Sequence, residues 1–261
     1  MSKKHLLLLI IFIFFTIIGL KANEPLKVGM ELAYPPFEMS DKNGKPTGIS
    51  VDLAYALGKY LNRKVIIKNT SWDGLIPSLK TGKIDIIISS MTITPKRKKV
   101  IDFSIPYART NLAILTYPGS NIKKSDNLNK KDKVIAVKKG TTGHFFAMDN
   151  FKKAKILVFD KENTAVLEVI QKRADAFIYD QLSIYRNWEK HKKNTVALLS
   201  PITKQPEYWG IAIKKGNNQL KKRIDTFIKK AKENGTFDQL ANKYLKEVKE
   251  KFDDMNIPFF F

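Results

Sequence analysis

The sequence predicts an α/β protein arranged as two lobes, and three observations predict it. Extended β-branched segments alternate with amphipathic helices along most of the chain, an order that produces mainly parallel sheets. About 239 residues follow the first 22, and with 43% hydrophobic content they suffice for two modest cores. The alternation also comes in two series, divided by a lysine-, serine- and asparagine-rich loop after Leu112–Thr116.

Lys3 and Lys4 precede an uncharged run from Leu6 to Leu20, shorter than the roughly 20 residues that cross a bilayer, and Ala22 is a small residue for cleavage. Residues 1–22 therefore read as a secretory signal peptide. An uncleaved anchor is the alternative, because Leu20 is bulky two positions before Ala22. With no cysteine in the chain, neither a lipid-modified N-terminus nor a disulfide is available after export. The expected location is a Gram-negative periplasm, with the protein diffusing freely.

The first series opens with strand Leu26 to Met30. After a proline-rich loop comes a helix in which Ile49, Leu53, Leu57 and Leu61 recur every four residues. Strand Val65 to Lys68, helix Trp72 to Lys80 ending at Gly82, and strand Ile84 to Ile88 continue it. The second series runs through strand Val134 to Val137, a helix from Thr142, strand Lys155 to Phe159, helix Glu162 to Ile170 and strand Ala174 to Tyr179. Tyr208 to Ile213 is extended again. Two helices follow, Asn217 to Asn234 and Thr236 to Val248, with Gly235 as the break. The acidic-aromatic tail after Lys251 reads as frayed or loosely docked.

The richest stretch chemically is Ile84 to Arg97. Its β-branched run reads as a strand buried on both faces, so Ser89, Ser90 and Thr92 stand where open α/β sheets bind ligands. Thr94 reads as an N-cap and Pro95 as the first helical residue, placing Arg97 in the first turn. Beside free backbone N–H groups, its guanidinium can take a carboxylate through two parallel hydrogen bonds. On composition alone, Arg97 reads rather as one charge among Lys96, Lys98 and Lys99 on a solvated turn, and the rest of the chain reverses that weighting.

The formal charge is +22, and the first 22 residues supply Lys3, Lys4 and Lys21 and no acid, leaving about +19 without them. The lysines are scattered over helices and turns, with no zinc finger, heptad-linked basic region or aromatic RNA-binding signature. Nucleic acid is therefore not an expected partner. The charge reads as a solubility property that also favours anionic headgroups or an acidic partner. No metal or cofactor motif is present, and neither a His-Glu-x-x-His helix nor a Gly-x-Ser-x-Gly elbow suggests catalysis.

Eight motifs occur in a characteristic order: Gly29 to Glu38 (GMELAYPPFE), Gly48 to Leu53, Trp72 to Pro77, Ser89 to Thr94 with Arg97, Asp102 to Ser104, Gly140 to Gly143, Ala174 to Asp180, and Asn234 to Phe237. Together they resemble the periplasmic amino-acid-binding proteins of ABC importers, the bacterial solute-binding family 3. The resemblance implies a type II periplasmic-binding-protein fold, with each lobe a mainly parallel sheet flanked by helices and two crossing strands near Ala108 to Leu112 and Glu207 to Ile211. Lobe 1 would comprise residues 23–110 and 210–261, and lobe 2 residues 111–209. The implied function is capture of a free α-amino acid between closing lobes and delivery to a membrane permease, by a monomer.

The resemblance also implies roles for residues. Arg97 would clamp the ligand α-carboxylate, with Ser90, Met91 and Thr92 beside it. Gly140, Thr141 and Thr142, which follow a strand and open a helix, would offer N–H groups to the same carboxylate. Asp180 would receive the α-ammonium, although on its own it reads as an N-cap for the helix from Gln181. Tyr34 and Trp72 would sandwich the ligand side chain and Glu31 would reach its far end. That set suits a cation, arginine, lysine or histidine, ahead of glutamine. Without the resemblance the two rings are core aromatics and Glu31 a surface charge. The same fold resembles periplasmic cyclohexadienyl dehydratases, so an enzyme is one alternative; a diffusible amino-acid sensor is another.

Overall fold

A computed structural model describes residues 24–261. The predicted signal peptide, residues 1–22, lies outside them. The chain divides into two compact units: unit 1 holds residues up to Tyr107 together with Gly210–Ile257 and Phe261, and unit 2 holds Ala108–Trp209 and Pro258–Phe260.

Unit 1 is built on a five-stranded sheet of β1 (Leu26–Met30), β5 (Val65–Asn69), β6 (Ile86–Ile87), β7 (Ile101–Phe103) and β15 (Ala212–Lys214), in the order β5-β1-β6-β15-β7. β1 is parallel to β5 and β6, while β15 is antiparallel to both β6 and β7, so four strands run one way and one is reversed. The predicted strand from Ile84 to Ile88 is a shorter ladder than expected. Its ends still bond to β1, Asp85 N–H donating to Lys27 O at 2.8 Å and Ile88 N–H to Gly29 O at 3.2 Å. Helix α1 (Ile49–Leu61) buries the four-residue repeat Ile49, Leu53, Leu57 and Leu61. Helix α2 (Trp72–Thr81) lays Leu75 and Leu79 against Ile84, Ile87, Ile101 and Phe103. Each fully buried side chain of this kind is worth about 1.5–3 kcal/mol.

A small sheet absent from the sequence reading, β2 (Ala33–Tyr34), β3 (Glu38–Ser40) and β4 (Pro46–Thr47), folds the proline-rich loop into a meander. Gly48 makes the following turn possible. Its φ is 117°, and a Cβ there would lie 2.5 Å from Phe37 O. That close approach lets the first N–H groups of α1 bond back to the meander, Ser50 N–H reaching Phe37 O at 2.7 Å.

Unit 2 repeats the plan with β9 (Leu112–Thr116), β10 (Val134–Lys138), β11 (Lys155–Phe159), β12 (Ala176–Asp180) and β13 (Val196–Leu198), in the order β11-β10-β12-β9-β13. Again one strand, β9, runs against the rest. Both faces of this sheet are covered. Ile135, Val137, Ala176 and Ile178 pack with Ala147 and Phe151, whereas Ala136 and Phe177 pack with Ala165, Val166, Val169 and Ile184. Strict alternation of partners along β10 and β12 is the signature of a sheet between two helical layers.

Two expectations are corrected, and a third is narrowed. The extended run Tyr208 to Ile213 is two strands: β14 (Glu207–Trp209) pairs with β8 (Ala108–Thr110) in unit 2, and β15 lies in unit 1. The helix expected over Thr236 to Val248 stops at Tyr244, and a further helix covers Lys246–Asp254, because buried Leu245 leaves helical geometry between them. Of the two readings of the tail, frayed or loosely docked, the structure has the docked one. Phe252 is 1% and Phe260 2% exposed, Phe260 O accepts the Arg109 N–H at 2.8 Å, and its ring stacks on Trp209 at 6.0 Å. Aromatic burial outweighs the acidic composition that suggested solvent.

Candidate functional site

Most of the residues singled out from the sequence stand just beyond the carboxyl ends of parallel strands, where successive loops converge. In unit 1, Glu31 follows β1, Trp72 opens α2 after β5, and Ser89, Ser90, Met91 and Thr92 follow β6. Thr94 caps a short helix, α3 (Pro95–Lys98), accepting the Arg97 N–H at 3.2 Å. The cap turns Arg97 inward, and only 7% of it is exposed. Its Nη1 donates to Thr92 O at 2.7 Å, and its guanidinium carbon lies 5.3 Å from the centroid of the Trp72 ring. The solvated-turn alternative for Arg97 is thereby excluded, although Lys96 and Lys98 are exposed. A buried guanidinium on an aromatic face is oriented in advance for a planar anion.

Beside that group lies a hydroxyl cluster. Glu31 N–H donates to Ser89 Oγ at 3.0 Å, and Ser89 and Ser90 hydroxyls both reach the carboxyl of Glu38. Ser90 is in the left-handed region with φ 48°. Tyr34, 8% exposed, pairs across the meander with Glu38 and stacks on Phe37 at 5.7 Å. Met91, 1% exposed, joins the core beneath, and its carbonyl accepts the Gly210 N–H at 3.2 Å. Thr92 is 7% exposed. Unit 1 therefore gathers all seven of its singled-out residues, in two adjoining groups linked through Ser90-Met91-Thr92.

In unit 2, Thr141 caps helix α4 (Thr142–Asn150), its hydroxyl donating to Lys138 O at 2.7 Å and accepting the His144 N–H at 3.2 Å. Thr142 Oγ1 donates to Glu207 Oε2 at 2.9 Å. The Gly140 N–H, expected to be available for an anion, donates instead to His144 Nδ1 at 3.1 Å. Gly143 allows the helix to approach β12, since a Cβ there would lie 2.5 Å from Ile178 O. Asp180 is 7% exposed, and its Oδ1 caps helix α6 (Gln181–Lys190), accepting N–H groups of Leu182 and Ser183 at 3.0 and 3.1 Å.

Three charged groups escaped the sequence reading. Glu38 is 1% exposed and its carboxyl is pushed up to about 8 by burial, against the lowering effect of its serine hydrogen bonds. Lys138, 3% exposed, ends β10, and Glu162 opens helix α5 (Glu162–Ile170) after β11. Desolvation and the nearby Asp180 charge raise Glu162 to about 7, while Asn187 and Lys138 oppose the shift. Lys138, Glu162 and Asp180 stand at the exits of three adjacent parallel strands. The available signal was a charged residue at each strand exit, which spacing along the chain does not reveal. Among the described residues no group of three His, Cys, Asp or Glu side chains is arranged to hold a metal, and no helix is long and apolar enough to cross a membrane.

Comparison with known proteins places the chain in a family. The profile of the bacterial extracellular solute-binding proteins, family 3, matches residues 26–247. The L-arginine-binding protein of Pseudomonas aeruginosa is 30% identical over 230 residues, covering 85% of this chain and 88% of that protein. The L-cystine-binding protein of Escherichia coli is 32% identical over 226 residues, with 86% and 84% covered. The crystal structure of an ancestral amino acid-binding protein, a precursor of cyclohexadienyl dehydratase, is similar with a TM-score of 0.77 at 39% identity, covering 88% of this chain and 98% of that one. With the family profile spanning nearly all of the described residues, the chain belongs to the bacterial extracellular solute-binding proteins, family 3.

Proposed function

We propose that this protein captures a free α-amino acid in the periplasm, cationic ones in preference, and delivers it as a monomer to the membrane permease of an ABC importer. One observation carries the reading: each unit buries one charge beyond a strand exit, Arg97 in one and Asp180 in the other, each 7% exposed, and the two are opposite in sign as the two ends of a zwitterion are. Arg97, with Ser90, Met91 and Thr92 beside it, takes the carboxylate. Thr141 and Thr142 add hydroxyl and backbone donors, and the Gly140 N–H joins them once it leaves His144. Asp180 takes the ammonium through its carboxylate. Tyr34, Trp72 and Glu31 suit a cationic side chain by two π faces and a carboxylate. The arginine-binding relative supports that preference, and the cystine-binding relative bounds it.

Calorimetry on Arg97→Ala tests the reading. Removing one member of a desolvated charge pair costs roughly 2–5 kcal/mol, so affinity for arginine should fall at least about thirtyfold. Unchanged affinity would refute the carboxylate assignment. The ancestral neighbour is a precursor of a dehydratase, which makes catalysis the second reading. Incubation with prephenate and arogenate should give no turnover, and measurable turnover would replace the carrier by an enzyme.

A further inference from the structure

The carboxyl of Glu38 lies at the centre of unit 1's hydroxyl cluster, and no ligand role accounts for it. Two stretches of chain converge on it from outside its own meander. Ser50 from α1 brings its Oγ to 2.6 Å from Oε2, Ser90 Oγ lies 3.1 Å from the same oxygen, and Ser89 Oγ lies 3.3 Å from Oε1. Ser89 passes the contact on by accepting the Glu31 N–H. Ser90 meanwhile holds φ 48°, a conformation that L residues keep only where surroundings over-determine it. The Ser90 bond to Glu38 is part of that determination. Ser50 owes its position to the Gly48 turn, so meander, helix and strand exit are tied to one carboxyl group.

We propose that Glu38 is a positioning residue of the ligand site: through Ser89 it fixes the Glu31 backbone, and through Ser90 it holds the left-handed turn that presents Ser90, Met91 and Thr92 to the ligand carboxylate. This rests on the amino-acid-binding reading of unit 1. Burial keeps Glu38 protonated at neutral pH, so its own O–H takes part in the cluster. The titratable groups around it are Glu31 beyond β1, Tyr34 across the meander and Tyr107 beyond β7, whose hydroxyl is pushed up by burial and by Glu38 itself. Asp52 on α1 is engaged elsewhere, by Lys243 and Tyr244. When Glu38 ionises, a negative charge forms one hydroxyl away from the place assigned to the ligand carboxylate, and Ser90 is committed to it as a donor.

The test is calorimetry on the wild type, Glu38→Gln and Glu38→Ala between about pH 6.5 and about pH 9. Arginine is the probe, or whichever of the twenty amino acids the wild type binds most tightly. At the lower pH, Glu38→Gln, which matches the neutral acid in shape and keeps both donor and acceptor capacity, should bind within about threefold of wild type. Glu38→Ala should lose at least about tenfold. The ratio of wild-type to Glu38→Gln affinity cancels the ligand's own titration and should fall at least about threefold by pH 9, a change that a purely structural carboxyl would not produce. A folded Glu38→Ala with wild-type affinity, or a flat ratio, overturns the proposal. Should Glu38→Ala fail to fold, the ratio decides alone. A wild type that binds none of the twenty overturns the parent reading and this proposal together, whereas binding with a flat ratio overturns only this one.

Discussion

A guanidinium that is 7% exposed is oriented by whatever holds it, and for Arg97 that is a carbonyl at 2.7 Å and an indole face. The same residue scale governs how the protein responds to pH. Glu38 is raised from 4.5 to about 8 and Glu162 from 4.5 to about 7, in both cases chiefly by desolvation. The folded state therefore keeps protons that the unfolded chain releases above about pH 4.5, so the stability tied to these groups is fully present below that pH. It is lost as pH rises through 7 to 8. Urea unfolding should accordingly give a smaller unfolding free energy at pH 9 than at pH 5, with each tenfold gain in proton affinity on folding worth about 1.4 kcal/mol at most. Glu38→Gln should flatten the curve above pH 7. A wild-type stability that rises steadily from pH 5 to pH 9 would contradict the desolvation of these two acids.

Among the elements, legibility followed periodicity. The four-residue repeat of Ile49, Leu53, Leu57 and Leu61 gave α1 its limits, and Glu162–Ile170 was equally plain. Thr94-Pro95 announced α3, and Asp180 announced α6. The meander was not legible, because strands of two or three residues carry no period and are fixed by the Gly48 turn and backbone pairing. Glu38 was hidden for the same reason: its partners Ser50, Ser89 and Ser90 are brought to it by tertiary folding. The tail's composition left frayed and docked both open. Lys246–Asp254 presents Phe252 inward from an otherwise charged helix, with half-buried Val248 four residues before it on the same face, so the amphipathic signal is present but rests on two residues. Phe252→Ala should therefore destabilise the protein by about 3–5 kcal/mol in urea unfolding, as removal of a large core side chain does. A change under about 0.5 kcal/mol would mean that the tail contributes nothing to the core.

For the whole molecule, the assignment divides one ligand's partners between two units of the chain. Only a state in which residues of both units reach the same ligand makes every contact, so ligand should shift the population toward that state. Small-angle scattering should record a smaller radius of gyration at saturating ligand, and an unchanged one would count against a shared site. The formal charge of about +19 after removal of residues 1–22 repels cationic ligands at a distance, yet screening beyond roughly 8 Å leaves the local groups in control at physiological salt. The central claim is capture of a free amino acid with cationic ones preferred, and a thermal-shift panel of the twenty amino acids tests it most directly. At about 100 times its dissociation constant a ligand adds about 2.7 kcal/mol of stability, which raises the melting temperature of a protein this size by several degrees. The account predicts that arginine, lysine or histidine gives the largest rise, and that Arg97→Ala cuts it to about a third or less, since a ligand bound about thirtyfold more weakly adds only about 0.9 kcal/mol at the same concentration. A panel in which no amino acid shifts the transition, or in which the shift survives Arg97→Ala unchanged, would contradict it.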